Sequence, residues 1–145
     1  MTAIKQRLMI QKMLPLLVSL FFCLHVTAQE AKPIDVVKAS VKAYNNVNID
    51  EFMSHFSEDI QLKDFDNGKV NASGLAEVRA VYEPYFKASP TLHSKILNRI
   101  AFDNKVMDHE YITGARGSDE PYELVVIYEV TAGKITSMLA VRKGK

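Results

Sequence analysis

Cysteine is nearly absent from this chain: its 145 residues include one, Cys23. A single thiol excludes an internal disulfide framework. An excess of one charge is also missing. The 18 lysines and arginines face 17 aspartates and glutamates and form no basic stripe, which argues against nucleic acid as a partner. His25, His55, His93 and His109 show no metal-ligand spacing, and no carboxylate pair supports them, so no metal is expected. Gly114-Ala115-Arg116-Gly117 lacks the helix that a phosphate-binding loop requires. No cofactor is therefore expected. Repeats and low-complexity segments are absent. The longest apolar stretch, Met13 to Val26, is too short to span a bilayer.

That stretch has a different logic. Lys5, Arg7 and Lys12 precede it, and Val26-Thr27-Ala28 supplies small residues after it. The pattern predicts a secretory signal over residues 1–28, cleaved before Gln29. An uncleaved anchor is the alternative, and Phe21 and Phe22 argue against a lipid on Cys23. Cleavage removes Cys23 and three basic residues, leaving a net charge of −2. The expected product is exported, periplasmic or extracellular, with no stable membrane anchor. Its 29–145 segment, about 117 residues, suffices for one domain with one core.

The mature segment opens with helices. Pro33 suits a first helical turn. Ile34, Val37, Val41 and Tyr44 then recur at spacings of three and four, as one apolar stripe requires. Asn48 with Glu51 three residues on reads as a capping box for a second helix, with Phe52 and Phe56 inward. Ile60 to Asp64 alternates as a strand does, and Asp66-Asn67-Gly68 is a turn. A third helix is expected from Leu75 to about Ala88, kinked or ended by Pro84.

The remainder reads as sheet: strands over 92–102, 106–113, 122–130 and 134–141. Asp103-Asn104 fits a two-residue hairpin loop. It sets Ile100 opposite Met107, Arg99 opposite Asp108, Asn98 opposite His109 and Leu97 opposite Glu110. Alternation then sorts the side chains. Ile96, Asn98, Ile100, Met107, His109 and Tyr111 take the inner face, and Lys95, Arg99, Asp108 and Glu110 the outer one. The resulting fold class is α+β, a curved, mostly antiparallel sheet packed with three N-terminal helices.

Order and spacing carry a resemblance across nearly all of 29–145. Val36, Val37 and Val41 open the first helix, Asp64 ends the first strand, and Ile96 to Ile100, Asp108 to Glu110 and Gly133 to Met138 follow. This arrangement resembles SnoaL-like and ketosteroid-isomerase-like proteins of the nuclear transport factor 2 superfamily, also called cystatin-like. The resemblance implies a cone holding a small apolar or amphipathic molecule, and a homodimer. It also implies an acid/base role for Asp64, in isomerase-, cyclase- or hydratase-like proton transfer. The isomerases' oxyanion hole has no counterpart: Ser40 stands at its tyrosine and Val126 near its acid. A base without that stabiliser lacks the larger electrostatic contribution.

The expected catalytic residues are thus Asp64 and His109. Asn98, Phe52, Phe56, Tyr82, Met107, Tyr111, Tyr128 and Met138 are the expected pocket residues. A non-catalytic binding module and a homodimerisation module are the alternative functions.

Overall fold

The computed structural model describes residues 31–143. The expected signal segment and its cleavage point lie outside these residues. Helix α1 spans Pro33–Asn45, with Pro33 in its first turn, and α2 spans Ile49–Ser54. The N-cap half of the expected capping box forms, whereas the Asn48 backbone N–H donates to the Ala43 carbonyl at 3.1 Å instead of to Glu51. Asn48 Oδ1 accepts from the Glu51 backbone N–H at 3.1 Å, and Asn48 Nδ2 donates to Glu51 Oε2 at 3.3 Å. Strand β1 follows (Phe56–Asp64), then β2 (Val70–Ser73) and helix α3 (Leu75–Lys87). Pro84 does not end α3, because it lies in the last turn and only the one preceding carbonyl loses its donor. Strands β3 (His93–Phe102), β4 (Lys105–Thr113), β5 (Tyr122–Thr131) and β6 (Lys134–Arg142) complete the chain, with a 3-10 turn at Ala115–Gly117.

The six strands form one curved sheet in the order β2-β1-β6-β5-β4-β3. Every neighbouring pair is antiparallel except β1 with β6. Helix α1 packs across β3 to β6, and α3 packs on β1 and β2. The core sits between these layers. The buried stripe of α1 is Val36, Val37, Ser40 and Ala43, rotated from the expected one. Ile34, Val41 and Tyr44 flank it, half-buried. Phe52 is the aromatic hub, with ring centroids of Phe56 and Tyr82 each 4.8 Å away and that of Phe86 at 5.4 Å. Among the described residues no helix is long and apolar enough to cross a membrane.

The β3–β4 hairpin turns at Asp103-Asn104, with Asp103 in the left-handed region (φ 53°). Ile100 pairs with Met107, Arg99 with Asp108 and Asn98 with His109, as expected. The next pair differs. Ile96, not Leu97, faces Glu110, because the register shifts between Ile96 and Asn98. Leu97 is the extra residue of a bulge. The bulge reverses the alternation within β3, so Ser94 and Arg99, five residues apart, both point inward.

The faces of the hairpin are also opposite to those expected. Val106, Asp108, Glu110 and Ile112 are buried, whereas Met107 is exposed and His109 and Tyr111 are half-exposed. Lys95 is exposed beside Tyr111 and pairs with neither acid. Charge pointed the sequence reading outward. Inside, however, Arg99 answers Asp108, hydroxyls answer Glu110, and Val106 and Ile112 join the core beside them.

Candidate functional site

A cavity of about 360 Å³ opens between the helices and the inner sheet face. Ser40, Val41 and Tyr44 reach it from α1, Phe52 from α2, and Val81, Tyr82 and Tyr85 from α3. Its sheet wall is Glu110 and Ile112 from β4, Leu124, Val126 and Tyr128 from β5, and Met138, Ala140 and Arg142 from β6. The inward pairing of Tyr128 with Met138, and of Val126 with Ala140, puts these strands' alternate side chains on one wall. The lining is mostly apolar and aromatic, with few polar groups, as small-molecule sites are.

The main polar feature is a buried acid cluster. Asp108 is fully buried, and Arg99 grips it with two bonds, Nε to Oδ1 at 2.6 Å and Nη2 to Oδ2 at 2.5 Å. Such a bidentate pair is the geometry that makes burial of both charges tolerable. Glu110 lies two residues on, on the same face, and lines the cavity. The Ser94 hydroxyl donates to its Oε2 at 2.7 Å, and the Tyr128 hydroxyl donates to its Oε1 at 2.9 Å. Burial raises the Glu110 pKa, and these two donors offset part of the rise. Burial, then the nearby Glu110 charge, raises the Tyr128 hydroxyl well above its ordinary value, so it stays a donor at neutral pH. The cluster holds two acids and one base, and Glu110 is the acid without a cation of its own.

Two further hydroxyls beside the cavity have no protein partners among the described residues. Ser40 Oγ is buried and unpaired. The Tyr82 hydroxyl makes no hydrogen bond, and burial, then the Glu110 charge, raises it. At the rim the Tyr44, Tyr85 and Tyr122 hydroxyls form a chain with spacings of 2.9 and 3.2 Å.

The cavity brings together four of the expected residues: Phe52, Tyr82, Tyr128 and Met138. Phe56 is buried in the core behind Phe52 and does not line it. Asn98, Met107, His109 and Tyr111 lie on the outer sheet face, a consequence of the reversed hairpin. There His109 Nε2 meets Glu123 Oε2 at 2.9 Å, and Lys143 joins the same oxygen at 3.3 Å. Asp64 ends β1 outside the lining. Its Oδ1 accepts from the Asp66 N–H at 3.0 Å, an Asx turn leading to Gly68. Glu110 was absent from the expected site. Alternation puts Glu110 on the same face as Asp108 but does not tell which face turns inward, and a charged residue is ordinarily assigned to water.

Among the described residues, no three histidine, cysteine or carboxylate side chains gather as a metal site would require. A comparison with curated proteins finds no match. Among solved structures, a cystatin-fold protein from Novosphingobium aromaticivorans superposes with a TM-score of 0.70 at 22% identity, covering 77% of this chain and 99% of its own. A proposed ketosteroid isomerase from Kribbella flavida gives 0.67 at 15% identity, covering 78% of each chain. A proposed polyketide cyclase from Sinorhizobium meliloti gives 0.62 at 16%, covering 76% of this chain and 99% of its own. At these identities the likeness establishes the fold. The family match is more direct: residues 37–138 fit the SnoaL-like domain, and they include most of α1, every cavity-lining residue except Ala140 and Arg142, and the acid cluster. The chain therefore belongs to the SnoaL-like domain family, within the nuclear transport factor 2 superfamily.

Proposed function

We propose that this protein binds a small apolar or amphipathic molecule in the inner-face cavity and acts on it by proton transfer, with Glu110 as the acid/base group. The observation that carries the reading is one buried, hydrogen-bonded carboxyl in a mostly apolar cavity of about 360 Å³. Burial favours its protonated form, so it exchanges a proton nearer neutrality than an exposed glutamate does. The Ser94 and Tyr128 hydroxyls hold its oxygens in place. The Tyr82 hydroxyl is the free donor that would hydrogen-bond a ligand oxygen where charge builds up. Isomerase, cyclase and hydratase chemistry all fit this set, as do the activities proposed for the fold relatives. Asp64, at the mouth end of β1 next to the cavity residue Lys63, is the second candidate base. We further propose that the protein is exported and begins at Gln29, which N-terminal sequencing of the secreted form checks.

Native mass spectrometry of the protein purified from its own host tests the binding reading. The expected result is a small-molecule adduct that Glu110→Gln weakens and Asp64→Asn retains. The converse would transfer the acid/base role to Asp64.

The outer sheet face supports a second role beside the first. Ile100, Met107, Ile127 and Leu139 form one row across four strands, and Ile100 is 55% exposed. Such a face suits pairing with a second copy of the chain. Sedimentation of the wild type and of Met107→Lys, expected as dimer and monomer, checks it.

A further inference from the structure

We infer that the cavity takes an organic anion, an aromatic carboxylic acid, with its carboxylate at the mouth and its ring body among the tyrosines. This rests on the small-molecule reading above and adds the charge and shape of the ligand.

The argument starts from an imbalance. Two cationic side chains line the cavity, Arg116 on the 3-10 turn and Arg142 on β6, against the single carboxyl of Glu110. Glu110 is buried and already held by Ser94 and Tyr128. Among the described residues, Arg116 and Arg142 form no ion pair, although other cations of this chain do. A mouth with unanswered positive charge attracts anions and repels cations.

The arginines are placed with some care. Arg116 adopts a left-handed backbone (φ 52°), a conformation that costs a non-glycine residue energy. Its N–H is fixed by the fully buried Ser89, whose Oγ accepts at 2.7 Å. Gly114, which starts the turn at φ 68°, has no room for a side chain, since a Cβ would collide with the Thr91 carbonyl. The result sets the Arg116 guanidinium 5.5 Å from the Tyr85 ring centroid. Arg142 stands close enough to Tyr82 and Tyr122 to counter part of the rise that burial imposes on both hydroxyls. Guanidinium forks match a carboxylate in shape as well as charge.

The body of the ligand follows from the walls. Tyr44, Tyr82 and Tyr85 offer ring faces and edges suited to stacking on an aromatic system. The volume accommodates two or three fused rings.

The test uses 2-naphthoate and its neutral amide, 2-naphthamide, which share shape and differ in charge. Calorimetric titration of residues 29–145 should show naphthoate binding at least tenfold more tightly than naphthamide. Raising the salt concentration should shrink that ratio. In the Arg116→Gln/Arg142→Gln double variant the ratio should fall to near one. Its melting temperature reports whether it folds, and the single Arg142→Gln variant provides a second measurement with a smaller expected fall. Equal binding of both probes by the wild type would overturn the anion inference and leave the cavity reading standing. An unchanged ratio in the folded double variant would also overturn it. Binding of neither probe would remove both.

Discussion

The two faces of the β3–β4 hairpin and its neighbour β5 carry comparable chemistry in opposite settings. Inside, Arg99 clasps Asp108 and Glu110 accepts from two hydroxyls, all with little or no contact with water. Outside, His109 and Lys143 share Glu123 in reach of solvent. The inner bonds run from 2.5 to 2.9 Å and the outer contacts from 2.9 to 3.3 Å. The larger difference is the alternative available to each group when its partner is lost. An outer group turns to water, and an inner one has nowhere to turn. The same sheet thus holds one acid cluster where every partner matters and one where few do.

The sharpest way to break this contrast is Arg99→Ala. It strands the fully buried Asp108 carboxylate, and a loss of about 3–5 kcal/mol is expected in urea denaturation. A replacement of both residues by apolar ones of similar volume, such as Arg99→Met with Asp108→Leu, should recover much of it. A loss under about 1 kcal/mol for Arg99→Ala would mean that Asp108 finds water, and the inner face would be wetter than described.

Glu110→Gln sharpens the comparison through pH. The folded-state pKa of Glu110 is raised, with burial the largest cause. Its favourable contribution is therefore complete below the ordinary carboxylate range and is lost as pH rises through the raised folded value. Relative to the wild type, Glu110→Gln should be less stable at pH 4, by about 1 kcal/mol for its altered hydrogen bonds. Between pH 4 and pH 8 that deficit should narrow or reverse. Thermal melts across this range check it, and a deficit that grows with pH would contradict the stated environment.

Asp64→Asn is expected to have a smaller effect. The asparagine side-chain oxygen still accepts from the Asp66 N–H, so the Asx turn survives, with a change below about 1 kcal/mol in chemical denaturation. The smallest effect is expected for His109→Ala on the outer face. Glu123 keeps Lys143 as a partner, so the melting temperature should not move measurably. A clear drop would place His109 in a network beyond Glu123.

How much of this was legible in the sequence follows from which forces are local. Pro33, the Asn48–Glu51 box and the Asp103-Asn104 loop act within a few residues, and each produced the element expected of it. The family resemblance supplied the layout of the sheet and the cone, and Phe52, Tyr82, Tyr128 and Met138 line the cavity as expected of that cone's wall. The acid cluster was not legible, for two reasons. Alternation tells that Asp108 and His109 face opposite ways but not which faces inward, and a charged residue is normally assigned to water. That rule fails when the partner is also buried, as Arg99 is. The Leu97 bulge then hid Ser94, since an unbroken strand would have turned it away from the face of Arg99.

The central claim is that the working polar group of this cavity is Glu110 on the inner face. Carboxyl- and side-chain-resolved NMR of residues 29–145 during addition of 2-naphthoate tests it most directly. The account predicts saturable shifts at the Glu110 carboxyl and the Tyr128 and Tyr82 rings, with the His109 ring and the Asp64 carboxyl unmoved. Shifts at Asp64 or His109 with Glu110 silent would contradict it.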